Sequence, residues 1–377
     1  MTTALRNLGW GLYGASAWTW CIGMYLPVLM IQWYGWWGFL VVAIPNVVGC
    51  TFMGLRLRTA EASRRFCAAH ATAMRWFAIA TVGFQLLFLA IVAKWFLPHG
   101  HELVSNLFVI PLLAFSLAWL LAMLPRTVWP WFGAAAFVVS VVVLTLNLSA
   151  SVPLPDWLGT KPGMDTVWLI PIFAFGFLLC PWLDAPFHRV LRETNDRRTF
   201  WVVGGAFFVL LALTASYWTL RPGLLVVAVF VHLLVQTIFT MAANLRELSP
   251  VGLVGGRAGI ALLLPLFAPV LPWIGTRLTV NPWTGTLDTY LRYLALYGVV
   301  FPAIVLFYAT PRRCPRTLAR NTIVIISILI AASCADVGLI DGPAFMATIA
   351  VAVLLITRYA LADRTELLSS TMQTGAT

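Results

Sequence analysis

Residues 13–27 read YGASAWTWCIGMYLP and lie within an apolar run long enough to cross a bilayer. The stretch carries Gly14, Gly23, Pro27 and small polar side chains, a mixture that a plain lipid-facing helix does not need. Two interpretations are open. Either the helix loosens midway and frees backbone groups to hold a solute or ion, or it is a kinked helix packed against small neighbours.

The composition of the whole chain decides the structural class. Hydrophobic residues make up 61% of the 377 residues and charged residues 10%, with a mean hydropathy of +0.90. A soluble domain of this size cannot bury so much apolar material, so the sequence predicts an all-α polytopic membrane protein that contacts the lipid bilayer. The net charge of +11 comes mostly from Arg in short loops and does not indicate nucleic acid.

Apolar segments predict about twelve transmembrane helices. The first two are separated by a turn at residues 34–36. Residues 56–70 are predicted to be a loop that carries four Arg, and the segment 188–198 is strongly basic. The twelve spans are expected at residues 8–33, 37–55, 74–96, 105–123, 128–148, 166–184, 199–219, 223–244, 258–275, 290–309, 321–340 and 343–361.

The distribution of Lys and Arg predicts the orientation. With an even number of spans, most of the 24 basic residues fall on the side of the N-terminus. The positive-inside rule therefore predicts that both termini lie on the cytoplasmic side of the membrane. The membrane is expected to be a bacterial inner membrane. The basic residues expected on the other side are Lys94, Lys161, Arg221, Arg277 and Arg292.

An inverted repeat would place a second interrupted helix at span six. That span contains Pro171, Gly176 and Pro181, as expected for such an interruption. Coincidence stays open, because Gly and Pro are common in transmembrane helices. The predicted organisation is a first repeat, a second repeat, two extra helices and a disordered tail, at residues 1–148, 166–309, 321–361 and 362–377.

Two segments carry a family resemblance. Residues 13–27, followed by Gly35, Trp37, Pro45-Asn46 and Gly54, resemble the first two core helices of sodium:solute symporters. The segment DAPFHRVLRETNDRR, at residues 184–198, resembles the region after their sixth core helix. The resemblance implies the five-plus-five inverted-repeat fold of the amino acid–polyamine–cation superfamily, and a small-molecule solute as the transported partner.

The same resemblance implies a sodium ion, the one cofactor considered. Where sodium-dependent members often carry an Asp in the first helix, this chain has Ala17, and the eighth helix lacks an adjacent Ser/Thr pair. Coupling to sodium, to protons or to neither therefore stays open. Backbone carbonyls and hydroxyls would hold the ion at Ala15, Trp18, Thr19, Thr237 and Thr240.

Span eight carries a polar helix face. His232, Gln236, Thr240 and Asn244 recur every four residues, so this face either lines a passage or forms interhelical hydrogen bonds. His232 is the predicted proton-coupling group, because histidine titrates near neutral pH. The predicted substrate-binding residues are Trp18, Trp20, Gly23, Tyr25, Phe175, Gly176, His232 and Gln236.

Asp184 and Arg189 are predicted to form an inner gate, with an ordinary solvated helix-end carboxylate as the alternative for Asp184. The chain has no P-loop, nucleophile elbow or HExxH motif, so no catalytic residue is expected. A membrane-embedded transferase that uses Asp184, His188 and Glu193 is one alternative.

The sequence predicts a secondary-transporter-like protein that moves a small organic solute by alternating access. The other alternative is a transporter-derived sensor or membrane-complex subunit that no longer transports. The oligomeric state stays open.

Overall fold

The computed structural model describes most of the chain as helix. Within its described residues it contains α-helices and short 3-10 and π turns, and no β-strand. Eight helices there are long and apolar enough to span a membrane, which confirms an all-α polytopic membrane protein. The described residues are 2–96, 103–148, 154–218, 224–249, 252–254, 284–309, 317–340 and 342–362.

The helices are numbered in chain order. The one that begins at Thr284 continues through π turns to Ala309, as a single apolar span. They are α1 (Thr3–Trp18), α2 (Cys21–Leu57), α3 (Ala60–Phe96), α4 (Leu103–Ala122), α5 (Trp129–Leu148), α6 (Asp165–Leu179), α7 (Ala185–Thr194), α8 (Thr199–Thr214), α9 (Leu224–Leu248), α10 (Thr284–Ala295), α11 (Leu318–Leu339) and α12 (Phe345–Leu361). The predicted span 258–275 and residues 363–377 of the predicted tail lie outside the described residues, so the count of twelve stays a prediction.

The first predicted span consists of two helices. α1 ends before Thr19, and α2 begins after Trp20, whose backbone is extended. The Thr19 hydroxyl donates to the carbonyl of Ala15 at 2.8 Å, which satisfies one of the carbonyls left open at the end of α1. The interruption predicted near Gly23 is therefore present, but it lies one turn earlier, and Pro27 is accommodated within α2.

The turn predicted at residues 34–36 is also present. Gly35 has a φ of 62° in the middle of α2, a backbone conformation that residues with a side chain rarely adopt. The loop 154–164 covers this turn, and the Trp36 amide donates to the Asp156 carbonyl at 3.0 Å. The chain therefore reverses here and starts its second span.

The sixth predicted span is interrupted as well. α6 ends before the 3-10 turn Cys180–Leu183, and α7 begins after Asp184. Pro181 has no amide hydrogen for the α-helical ladder, and Pro186 lies at the start of α7, where proline is favoured. The interruption predicted between Gly176 and Pro181 therefore lies a few residues later.

Two basic segments between predicted spans are largely helical. The predicted loop 56–70 is wrong for most of its length, because α3 begins at Ala60 and only kinks at His70. The basic segment 188–198 is helical as far as Thr194, where α7 ends. Basic residues are good helix formers, so these charges marked the edge of the membrane rather than the end of a helix.

The helices pack as one bundle with an added hairpin. α8 contacts α1 and α2, α2 contacts α6, and α1 contacts both α7 and α5. α9 contacts α3, α4 and α5, and the hairpin of α11 and α12 packs on α6 through α12. α1 begins and α7 ends at the same face, where the Asn7 side-chain amide donates to Asp196 at 2.8 Å. We call this the N-terminal face, and the face of the Gly35 turn the opposite face. The repeat boundaries stay predictions.

Candidate functional site

The two interrupted spans meet at a small cavity near the middle of the bundle. The space that the centre of a water molecule can occupy in this cavity is about 10 Å³, which is room for one water. The lining comes from both breaks, from α2 beyond its turn and from the π region after α10. We call it the central cavity, lined by Trp18, Trp20, Ile22, Gly23, Asn46, Phe177, Cys180 and Tyr297.

Four of the eight residues that line the central cavity are aromatic. The Trp18 indole donates to the Asn46 side-chain oxygen at 2.7 Å, and its ring lies 4.8 Å from that of Trp20, centroid to centroid. Trp20 in turn packs edge-on against Phe77 at 5.7 Å and Tyr297 at 4.8 Å. The break in the first span is thus anchored by rings from α3 and from the region after α10.

A second cavity lies between α6, the region after α10 and α11. Its volume, measured in the same way, is about 20 Å³. α6 approaches this region closely, because a Cβ at Gly176 would lie 2.8 Å from the Tyr297 carbonyl oxygen. The lining residues are Ile172, Phe173, Gly176, Phe177, Leu294, Tyr297, Gly298 and Leu339.

Aromatic side chains close the route from the central cavity towards the opposite face. The Tyr290 ring lies 5.1 Å from that of Tyr25 and 5.3 Å from that of Phe84, and Phe88 packs against both tyrosines. The Tyr290 hydroxyl donates to the Cys21 carbonyl at 3.2 Å. We call Tyr25, Phe84, Phe88 and Tyr290 the aromatic closure.

Charged side chains close the other route, towards the N-terminal face. The Arg189 guanidinium donates to both carboxylate oxygens of Glu247, at 2.9 and 3.0 Å. The side chain of Glu247 is fully buried. Glu193 accepts from Arg189 at 3.5 Å and from the Nε of Arg126 at 2.6 Å. This ionic closure, formed by these four residues, joins α7 to α9 and to the turn before α5.

The predicted gate residues are not partners of each other. Arg189 pairs with Glu247 and Glu193, whereas Asp184 lies in the α6–α7 break with 2% of its surface exposed. The solvated carboxylate considered for Asp184 is therefore wrong. Glu247 was missed because the predicted span eight ended at residue 244, whereas α9 continues to Leu248. A lone Glu on the same polar face was the available signal.

The end of α1 packs against α9 where the resemblance implied a sodium ion. The Thr240 hydroxyl lies 3.5 and 3.4 Å from the carbonyl oxygens of Ser16 and Ala17. The Ala15 carbonyl accepts from the backbone amide and the hydroxyl of Thr19. Carbonyl and hydroxyl oxygens are the ligands that hard cations prefer, so these are the donor types that a sodium ion would need.

The remaining members of that predicted set lie less close together. The Trp18 carbonyl is next to Gly23, at the first turn of α2, rather than at Thr240. The Thr237 hydroxyl is buried and has no hydrogen-bond partner in the part of the chain that the structure describes. Thr237 is therefore the one hydroxyl here that is not already engaged.

The residues on the polar face of α9 meet different neighbours: Gln236 faces α5, Thr240 faces the end of α1, and Asn244 donates back to the Thr240 carbonyl. The Gln236 amide donates to the Ser140 hydroxyl at 2.8 Å and to the Ala136 carbonyl at 3.2 Å, which favours the interhelical hydrogen-bond interpretation. The His232 ring packs 6.2 Å from that of Tyr217. Neither ring nitrogen of His232 has a hydrogen-bond partner among the described residues.

The predicted substrate residues separate into those at a cavity and those elsewhere. Tyr25 belongs to the aromatic closure. Trp18, Trp20 and Gly23 line the central cavity, and Gly176 lines the second. Those that line neither cavity are Tyr25, Phe175, His232 and Gln236.

Five lining residues of the central cavity were missed as contacts: Ile22, Asn46, Phe177, Cys180 and Tyr297. Asn46 is a polar side chain within an apolar span, which is a recognised signal of an inward-facing position. Phe177 and Cys180 lie within the predicted interruption, and Ile22 is next to the first one. Tyr297 had no local signal, because its place depends on how the region after α10 packs against α6.

Comparisons with known proteins identify the fold. No family model matches the chain, and no curated protein matches its sequence. It is similar to a manganese transporter of Eremococcus coleocola, solved with an aromatic bis-isothiourea substituted compound, with a TM-score of 0.56, 12% identity and coverage of 95% of this chain and 93% of that one. It is also similar to the inward-facing conformation of Mhp1, with a TM-score of 0.50, 15% identity and coverage of 97% and 91%. These identities indicate a shared transporter fold rather than a shared substrate or family.

Proposed function

We propose that this protein moves a small organic solute across a membrane by alternating access. The observation that carries the proposal is that two interrupted spans meet at one central cavity, which a different set of contacts closes towards each face. A transporter of this kind opens one closure at a time, so that its site faces each side in turn. The structure corresponds to the conformation in which both closures are in place.

The chemistry of the central cavity favours a solute with an apolar or aromatic body. Its lining is dominated by Trp18, Trp20, Phe177 and Tyr297, and Asn46 supplies the one side-chain amide. Flat rings bury well between such side chains. The first amide groups of α2 have no carbonyl partner within the helix, and they favour an acceptor or anionic group on the solute.

The closed cavity has room for about one water, so the solute can enter only when one closure opens. We assign the ionic closure as the gate of the N-terminal face, with Arg189 as its moving member on α7. On the positive-inside rule this face is cytoplasmic, in a bacterial inner membrane. Membership of the sodium:solute symporters rests on the sequence resemblance, and the transporter fold favours a carrier over an enzyme.

The coupling ion is proposed as sodium or a proton. Sodium would be held at the end of α1 by the carbonyls of Ser16 and Ala17 and by the hydroxyls of Thr19, Thr237 and Thr240. Its positive charge would attract these oxygens towards one another. His232 is the proton candidate from the sequence.

A second candidate function is a non-transporting sensor or complex subunit. Two observations favour it: Ala17 stands where a coupling carboxylate is common among sodium-dependent relatives, and Thr19 and Thr240 already engage the carbonyls at the end of α1.

Uptake into proteoliposomes tests the transport proposal. A panel of small aromatic solutes, half of them carboxylates and half uncharged, is offered with sodium and proton gradients imposed separately. We expect accumulation of at least one aromatic solute above protein-free liposomes. Gly23→Leu, which fills the cavity, should abolish it, whereas Gly205→Leu should not, because a Cβ at Gly205 meets nothing within 4 Å.

If no solute accumulates, and no panel member or sodium changes the melting temperature, transport is contradicted and the sensor candidate stands. If Gly205→Leu abolishes uptake as completely as Gly23→Leu, the central cavity is not the transport site.

A further inference from the structure

One buried acid is left over when the charges near the α6–α7 break are paired. Asp184 follows the 3-10 turn Cys180–Leu183 and precedes α7, and 2% of its surface is exposed. Its Oδ2 has no hydrogen-bond partner among the residues that the structure describes, and the backbone amide of Phe187, in the first turn of α7, is the polar group that faces the carboxyl. The adjoining turn lines the central cavity through Cys180. The acid therefore lies between the cavity and the ionic closure.

The cations near Asp184 are engaged elsewhere. Arg189, on the same helix, is held by both oxygens of Glu247 and by Glu193. Arg246 on α9 donates to the carbonyls of Ala122 and Leu124. In the described parts of the chain, no Lys, Arg or His lies within salt-bridge distance of Asp184.

The other ionisable groups that face Asp184 do not stabilise a negative charge. Glu247 on α9 lies within electrostatic reach and repels it. Tyr13 on α1 and Cys180 are also within reach and are uncharged groups. On the α3 side, the neighbouring His188 ring is already bonded to the Ser63 hydroxyl and the Trp182 carbonyl.

An ionised carboxylate in such a place is costly. The penalty for an unpaired charge in the interior is several kcal/mol, and a second acid nearby adds to it. A buried carboxyl avoids this penalty by binding a proton. Water at the break would solvate the carboxylate, and the proton could then leave.

We propose that Asp184 is a proton-binding site that is occupied in the closed conformation at neutral pH and emptied when the α6–α7 break is exposed to water. On exposure the O–H bond of Asp184 breaks, its electron pair stays on the carboxylate, and the proton passes to water; closure reverses the step. The link to transport rests on the proposed function, but the protonation of Asp184 does not. This site differs from that of His232 on α9, which packs against Tyr217 in the turn after α8.

Infrared spectroscopy of the purified protein tests the site without a solute. At pH 7 the wild type should show the carbonyl band of a protonated carboxyl group, shifted by exchange into heavy water. Asp184→Asn should remove this band. Glu193→Gln is the matched control, the same change at a paired acid of the same helix, and should leave the band in place. A band that survives in Asp184→Asn, or is absent from the wild type, overturns the proposal.

The pH dependence of unfolding gives a second test. The proton is bound in the folded state and lost from the unfolded chain above pH ~4, so wild-type stability falls as pH rises. Asp184→Asn should therefore melt ~2 °C or more above wild type at pH 8, with the difference closing towards pH 4. His232→Gln should not reproduce this pattern. If Asp184→Asn melts below wild type by more at pH 8 than at pH 4, Asp184 is ionised and the proposal is wrong.

Discussion

The two closures of the central cavity are built from opposite kinds of contact. Towards the N-terminal face, Arg189 and Glu247 form a buried ion pair with two hydrogen bonds. Towards the opposite face, packed rings meet, and the Tyr290 hydroxyl donates to the Cys21 carbonyl. The first closure depends on matched partners, whereas the second depends on the fit of surfaces.

This difference predicts how each closure fails. Removing one member of a buried ion pair leaves the other charged and unpaired, so the loss is large and abrupt. Removing part of an aromatic cluster loses only the contacts of that ring, so the loss is graded. A carrier with both kinds of closure has one gate that responds to charge and protonation, and another that responds to the shape of a solute.

The largest effect is expected at the ionic closure. Glu247→Gln leaves Arg189 buried without its bidentate partner, and should lower the free energy of unfolding by about 3–5 kcal/mol. Tryptophan fluorescence during thermal and denaturant unfolding measures this change. Glu61→Gln is the matched control, because Glu61 pairs with Arg64 at the surface, and it should cost less than about 1 kcal/mol. Equal losses in the two variants would mean that the buried pair has no special role.

An intermediate effect is expected in the aromatic closure. Phe84 is fully buried, and its ring contacts Tyr290 at 5.3 Å and Tyr293 at 4.5 Å. Phe84→Leu should cost about 1–3 kcal/mol, because ring contacts are lost while most of the volume is kept. The same unfolding measurement applies. A loss larger than that of Glu247→Gln would reverse the ranking of the two closures.

The smallest effect is expected for the hydroxyl bond of Tyr290 in the aromatic closure. Tyr290→Phe keeps the ring and removes the hydroxyl bond to the Cys21 carbonyl, which should cost about 0.5–1.5 kcal/mol. Thiol labelling of Cys21 from the opposite face reports the opening of this closure, and it should rise less than in Phe84→Leu. If labelling rises more in Tyr290→Phe, the hydroxyl bond rather than the rings holds this face shut.

Local sequence signals predicted some features well. The turn at Gly35 was predictable because glycine accepts a positive φ that other residues avoid. The existence of two interruptions followed from Gly and Pro inside apolar spans. Their positions were displaced, because Thr19 binds back to Ala15 at the first break, and a 3-10 turn ending at Asp184 forms the second.

The candidate site was predicted only in part. Trp18, Trp20 and Gly23 line the central cavity, since they are next to the first break. Tyr297 and Glu247 were not predicted, because each owes its role to a helix far away in the chain. His232 and Gln236 share the predicted helix face, but periodicity cannot say which neighbour that face meets.

The sequence by itself determined the membrane class and most of the spans. Hydrophobicity and length are local properties, and a bilayer requires about 20 apolar residues for each helix. The tertiary structure alone decided where the two helices break, which charges pair and what surrounds the cavity. Trp20 meets Tyr297, and Arg189 meets Glu247, because folding brings distant helices together; the strength of such contacts depends on burial that no local pattern records.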